Sequence, residues 1–215
     1  EWANYFCYGC PNGYSAMGGQ TLHPYGRKIL DTGGSSSGSG VSTTSNLAAA
    51  SLGSETSGSI LSPSSANSLV GMKPTIGNVS RAGIVPISST LDTAGPMTKF
   101  VIDNILIYNA INDFDPLDDY SVENYDIRIN EVVENKLEEY TIGYYKSFYE
   151  RDSLYKNAID FLVEEGVKLQ AIDAPQIRLE GFAKILDEDM RYDLRSYLFF
   201  YGNKNLKVED ISSII

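Results

Sequence analysis

Histidine is nearly absent from this chain: its 215 residues contain one, His23, together with two cysteines, Cys7 and Cys10, and one tryptophan. A Ser-His-Asp arrangement would have to be built on His23 alone, and that residue sits in Thr21-Leu22-His23-Pro24-Tyr25, a loop without a catalytic turn. It reads as structural. The nucleophile-elbow pattern Gly-x-Ser-x-Gly occurs only in truncated form, as Gly38-Ser39-Gly40, which argues against an α/β-hydrolase. A zinc site on Cys7-x-x-Cys10 would need two further ligands, so a lone histidine would have to be helped by carboxylates. The pair therefore reads first as ordinary thiols, then as a local disulfide, and last as metal ligands. No cofactor is expected.

Long apolar runs are missing too. No stretch approaches the roughly 18 residues needed to span a bilayer, and the first residues show no basic start followed by an apolar block. The expectation is a soluble protein without a membrane partner, cytoplasmic slightly ahead of secreted. Basic residues are scarce as well: 17 Lys and Arg face 28 Asp and Glu, a formal charge of −11. The excess is one-sided. Residues 1–110 hold five basic and five acidic side chains, while residues 111–215 hold 12 and 23. Such a surface repels phosphate backbones, which excludes nucleic acid as an expected direct partner.

What the chain does have is glycine and serine in order. Residues 1–40 read as loop; Ser39–Ser51 suits a helix of small residues, and a second helical turn follows Ser59-Ile60-Leu61-Ser62-Pro63. Val70–Thr75 reads as a short strand ended by proline, residues 76–98 as Gly- and Pro-punctuated loop, and Lys99–Ile111 as a buried helix. In the acidic half, a helix is expected over about Asn130–Glu139. A strand within Tyr140–Tyr149, a helix over Ser153–Glu165 stopped by Gly166, and a strand over Val167–Ile172 form a βαβ crossover. A long helix then follows Pro175 to about Phe200. The class is α/β.

The chemistry lies in two serine-rich stretches, Gly33–Gly40 and Gly53-Ser54-Glu55-Thr56-Ser57-Gly58-Ser59-Ile60. A serine hydroxyl is a poor nucleophile near neutral pH, so amide cleavage needs a base for its proton and donors for the developing oxyanion. Small side chains at Thr56, Ser57 and Gly58 allow successive backbone N–H groups, through Ser59, to converge on a carbonyl oxygen. As a flexible linker the Gly/Ser run would not lead directly into Leu- and Ala-containing helix residues.

Four ordered blocks carry a resemblance to the amidase signature family: Gly34-Ser35-Ser36, Gly53-x-Glu55-Thr56-x-Gly58-Ser59-Ile60, Gly71-Met72-Lys73-Pro74-Thr75, and Ser89 through Met97. Gly18-Gly19-Gln20-Thr21 with Pro24-Tyr25 looks closest to the peptide-amidase-like branch. The resemblance implies an amidase-signature fold, a mixed central sheet surrounded by helices, here incomplete at both ends. Residues 1–111 would be the catalytic core and residues 112–215 an acidic βαβ-containing region. It also implies that Ser59 is the acyl-forming nucleophile, that Ser35 is the bridging serine after a cis peptide from Gly34, and that Ser36 supports them by hydrogen bonding. Thr56, Ser57, Gly58 and Ser59 would form the oxyanion hole.

In that family a buried, neutral lysine takes a proton from the bridging serine. The lysine belongs farther upstream of Ser35 than this sequence reaches, and Lys28, Lys73 and Lys99 do not match it. Ser37, Ser57 and Leu61 depart from the commoner residues of the blocks, which bears on substrate preference. The expected activity is hydrolysis of a linear carboxamide, small or peptide, through an acyl-serine intermediate. Two alternatives accompany it: a noncatalytic fragment or split-protein component that needs a complementing polypeptide, and the A subunit of a tRNA-dependent amidotransferase.

Overall fold

The computed structural model describes residues 10–134, 136–176, 178–205 and 208–213; Cys7 lies outside them. Cys10 is disulfide-bonded, which corrects the reading of ordinary thiols at that position. The chain forms two units, Glu1–Ile127 with Gly181–Ile215, and Arg128–Glu180.

The first unit opens with a two-residue hairpin, β1 (Tyr14–Ser15) and β2 (Gly19–Gln20), within the expected loop. Helix α1 (Ser37–Thr44) follows the Gly/Ser loop, then β3 (Ser51–Glu55), α2 (Leu61–Ala66), β4 (Val70–Gly71), β5 (Thr93–Thr98) and α3 (Val101–Ile111). Strand β5 is the centre of an antiparallel sheet of order β3-β5-β4. Two expectations are corrected here. The helix read over Ser39–Ser51 ends at Thr44 and gives way to β3, and the loop read over 76–98 ends in the central strand.

Proline in a central strand removes a ladder donor, which is why Gly95-Pro96 reads as loop in sequence. The structure accommodates it on one side only. Pro96, which has no N–H to donate, lies opposite Leu52, and its carbonyl accepts Met72 N–H at 3.1 Å on the β4 side. Beside it the Met72 carbonyl comes so close to Gly95 that a Cβ there would lie 2.1 Å from the oxygen. All six residues of β5 are buried. Buried Asn104 on α3 closes this region: its Nδ2 faces Val70 O at 2.9 Å, Pro96 O at 3.1 Å and Thr98 Oγ1 at 3.2 Å. Helix α3 is rich in apolar residues, yet only Asn104, Ile105 and Tyr108 are buried. Phe100, Val101, Ile102 and Leu106 face outward, against the expectation of a fully buried helix.

In the second unit, α4 (Ile129–Glu134) precedes β6 (Thr141–Tyr145), α5 (Lys146–Tyr149), α6 (Ser153–Glu164) and β7 (Lys168–Ile172). Strands β6 and β7 are parallel, as the βαβ reading requires. Asp152 caps α6 by accepting Leu154 and Tyr155 N–H, and Gly166 ends it at φ 82°. The chain then returns to the first unit as α7 (Phe182–Tyr201), whose Met190 and Leu194 pack with Ile87 and Leu198.

Among the described residues of the first unit, one ion pair is buried. Arg81 donates through Nη2 to Asp118 Oδ1 at 2.8 Å and through Nε to Oδ2 at 2.9 Å, while its backbone N–H reaches Oδ2 at 2.8 Å. Burial pushes the Asp118 carboxyl up, but the Arg81 guanidinium and the N–H groups of Tyr120 and Arg81 outweigh it and hold the carboxyl at about 2, below its usual 3.8. A carboxyl depressed in the folded state contributes its full stability above its unfolded pKa and loses it as pH falls toward the folded value. Denaturant titrations from pH 5 to pH 2 should therefore show a loss on the order of 2 kcal/mol from this pair between about pH 4 and pH 2. Asp118→Asn should remove that part of the acid dependence and leave a less stable protein at pH 7.

Candidate active site

The Gly/Ser loop is fastened to the edge of β3 by serine hydroxyls. Ser36 Oγ accepts Ser54 N–H at 3.2 Å and donates to Ser54 O at 3.2 Å, so one hydroxyl serves both backbone groups of a strand residue. Ser39 Oγ donates to Leu52 O at 2.7 Å. Between the loop and the strand, Ser36 N–H donates to Ser59 O at 3.2 Å, which draws the segment after Ser35 against Ser59. The Gly34–Ser35 peptide is cis, as the resemblance implies.

Ser35 and Ser59 line one cavity of about 230 Å³ together with Gly34, Thr56 and Ser57. Its remaining wall is apolar: Ile87, and Phe182 and Leu186 from α7.

The Thr56–Ser59 turn is held from behind. Glu55, only 4 % exposed, accepts Ile60 N–H at 2.8 Å and Leu61 N–H at 2.9 Å through the same oxygen, Oε2. Its carboxylate thereby closes residues 55–61 into a ring. Gly58 has φ 90°, a left-handed conformation that makes a side chain there strained although a Cβ would meet nothing within 4 Å. The backbone N–H groups of Thr56, Ser57, Gly58 and Ser59 donate to no protein acceptor among the described residues. Those of Thr56, Ser57 and Ser59 belong to residues that line the cavity, where donors suit a carbonyl oxygen gaining negative charge. At the front of the turn, Thr56 Oγ1 donates to Asp92 Oδ1 at 2.5 Å, and the other oxygen of Asp92 accepts Ile87 N–H at 2.8 Å and Ser88 N–H at 2.9 Å.

The structure thus brings together Ser35, Ser36, Thr56, Ser57, Gly58 and Ser59, and it keeps the other candidates apart. His23 is buried away from the cavity, with Nε2 at 2.9 Å from Ala66 O and Nδ1 accepting Tyr25 N–H at 3.2 Å. Lys28 lines a different cavity, Lys73 is exposed, and Lys99 Nζ donates to Asn46 Oδ1. None of the three lines the serine cavity. Sequence reasoning missed Glu55 and Asp92 as supports of the turn. Both lie inside the four blocks, and a carboxylate placed among glycines and small residues was the available signal. Among the described residues no group of three His, Cys, Asp or Glu is placed to hold a metal ion, and no helix is long and apolar enough to cross a membrane.

The closed turn makes a testable demand. Glu55→Gln keeps the side chain's size but replaces a charged acceptor of two N–H bonds, so the Ile60 and Leu61 amides should exchange with deuterium at least about tenfold faster. Ser36→Ala should speed exchange at Ser54 while leaving Ile60 and Leu61 near their original rates.

Comparison with known proteins gives the family of the chain. An amidase family model matches residues 4–193. A probable amidase of Arabidopsis thaliana is 50 % identical over 121 residues, which cover 55 % of this chain and 23 % of that protein. The A subunit of glutamyl-tRNA(Gln) amidotransferase from Neisseria meningitidis is 37 % identical over 153 residues, 68 % of this chain and 32 % of that one. Among solved structures, native peptide amidase from Stenotrophomonas maltophilia superposes with a TM-score of 0.83 at 29 % identity, covering 96 % of this chain and 44 % of the enzyme. An amidase family protein from Bacillus anthracis gives 0.85 at 32 % identity, covering 100 % and 44 %. The chain spans less than half the length of these relatives. It has their α/β fold over its own length, and it belongs to the amidase family, the amidase signature enzymes.

Proposed function

We propose that this chain carries the nucleophilic half of an amidase that hydrolyses a linear carboxamide through an acyl-Ser59 intermediate. The observation that carries the reading is the convergence of Ser35 and Ser59 on one cavity, beside backbone N–H groups with no protein acceptor among the described residues. Ser59 Oγ attacks the amide carbon, and the N–H groups of the Thr56–Ser59 turn receive the oxyanion. Ser35 relays the proton from Ser59 toward a base and returns one to the leaving nitrogen. Ser36 holds the loop at the strand edge. The base that the resemblance implies is a lysine upstream of Ser35, and no described lysine of this chain lines the cavity. The likeness to the amidotransferase A subunits gives a second reading in which the same serines release ammonia for a partner polypeptide. The acidic surface and the peptide amidase likeness favour the hydrolytic one.

A fluorophosphonate should modify Ser59 covalently in a polypeptide extended upstream to include the lysine, and peptide mapping would locate the adduct. Ser59→Ala should abolish both labelling and amide hydrolysis. Ser35→Ala should slow turnover by about 10²- to 10⁴-fold, the usual worth of a positioned proton relay, whereas His23→Ala should retain the labelling site. The 215-residue chain by itself should turn over amides negligibly. Robust hydrolysis by that chain, lost with His23 and kept without Ser35, would overturn the assignment.

A further inference from the structure

Part of the lining of the serine cavity comes from α7, a helix remote from the serines in sequence, and the attachment of that helix is specific. Asp189 on α7 accepts Ser88 Oγ–H at 2.5 Å and approaches Thr90 N–H at 3.4 Å; Asp193, one turn later, accepts Ser89 N–H at 2.6 Å. The same Ser88 also donates its N–H to Asp92, whose other oxygen holds Thr56 of the turn. A continuous hydrogen-bonded path therefore runs from the oxyanion turn through Asp92 and residues 87–90 to α7. Phe182 and Leu186 lie on α7 one turn apart, the second of them only 2 % exposed, and both face the cavity with Ile87.

We propose that α7 is the specificity wall of this site: Phe182, Leu186 and Ile87 select a carboxamide whose acyl part is a short apolar chain, and Asp189 and Asp193 are the positioning residues that fix the wall. The inference rests on the amidase reading and adds its substrate class. The apolar wall is assigned to the acyl side because the leaving nitrogen has to face Ser35 and its proton source. At about 30 Å³ for each small group, the 230 Å³ cavity holds on the order of eight non-hydrogen atoms. An amide group with roughly four to six acyl carbons fills it, and a much longer chain does not fit. Polar or charged acyl groups would lose hydration against three apolar side chains without gaining partners there.

The test uses the extended enzyme and three fluorophosphonates that differ only in the alkyl chain on phosphorus: methyl, butyl and decyl. Each buried methylene is worth roughly fourfold, so butyl should label Ser59 at least about tenfold faster than methyl, and decyl should fall below butyl. Leu186→Ala should move the optimum toward decyl. Phe182→Leu, a smaller change at a half-buried position, should do the same if the first variant fails to fold. Asp189→Asn should raise KM for hexanamide about tenfold more than for acetamide, a split that general destabilisation would not produce, and Asp189→Glu should recover part of it. Equal labelling by methyl and butyl, or an unchanged optimum in the folded wall variants, overturns this inference alone. Absence of labelling by all three overturns the amidase reading and this inference with it.

Discussion

A carboxylate buried without partners costs several kcal/mol, and Glu55 meets that demand locally, by taking the N–H groups of Ile60 and Leu61. Everything placed around Ser59 depends on this closure. It converts the end of β3 into a ring that returns the chain to the start of α2, and it commits two amides to the back of the turn. The amides of Thr56 through Ser59 are left for whatever lies in front. A glutamine could accept the same bonds but more weakly, because hydrogen bonds to a charged acceptor are roughly twice as strong as neutral ones.

Asp92 does for the surroundings what Glu55 does for the turn. It stands one residue before β5 and joins the Thr56 hydroxyl to the backbone at Ile87 and Ser88, which Asp189 and apolar packing in turn tie to α7. Asp193 shows the cost of gathering carboxylates here. Burial, with the nearby charges of Asp189 and Asp92, pushes its carboxyl above the usual range even though Ser89 N–H stabilises the charged form. The arrangement concentrates negative charge behind a wall whose cavity-facing side is apolar.

The serine blocks were readable because their chemistry is local: spacing, small side chains and block order are all present in the string of residues. The α/β class and the parallel pair β6–β7 were readable for the same reason, since strand and helix periodicities alternate over Tyr140–Ile172. Strand β5 was not. Gly95 and Pro96 are turn residues by propensity, and only the approach of the Met72 carbonyl and the one-sided bonding of Pro96 make them strand residues. Asp189 and Asp193 were equally hidden, because their partners lie about a hundred residues away in sequence. The Arg81–Asp118 pair was hidden in the same way: nothing in the acidic stretch marks which carboxylate will be buried.

The hydroxyl of Ser36 has a consequence beyond the cavity. An outer strand normally exposes alternate N–H and C=O groups that can template pairing with another chain, the common beginning of aggregation. On β3 those groups at Ser54 are both occupied by Ser36, and the carbonyl of Leu52 by Ser39. Two side chains from the loop thus stand in for a neighbouring strand, so that the segment leading to the reactive serine is insulated from strand exchange by the same residues that shape its site.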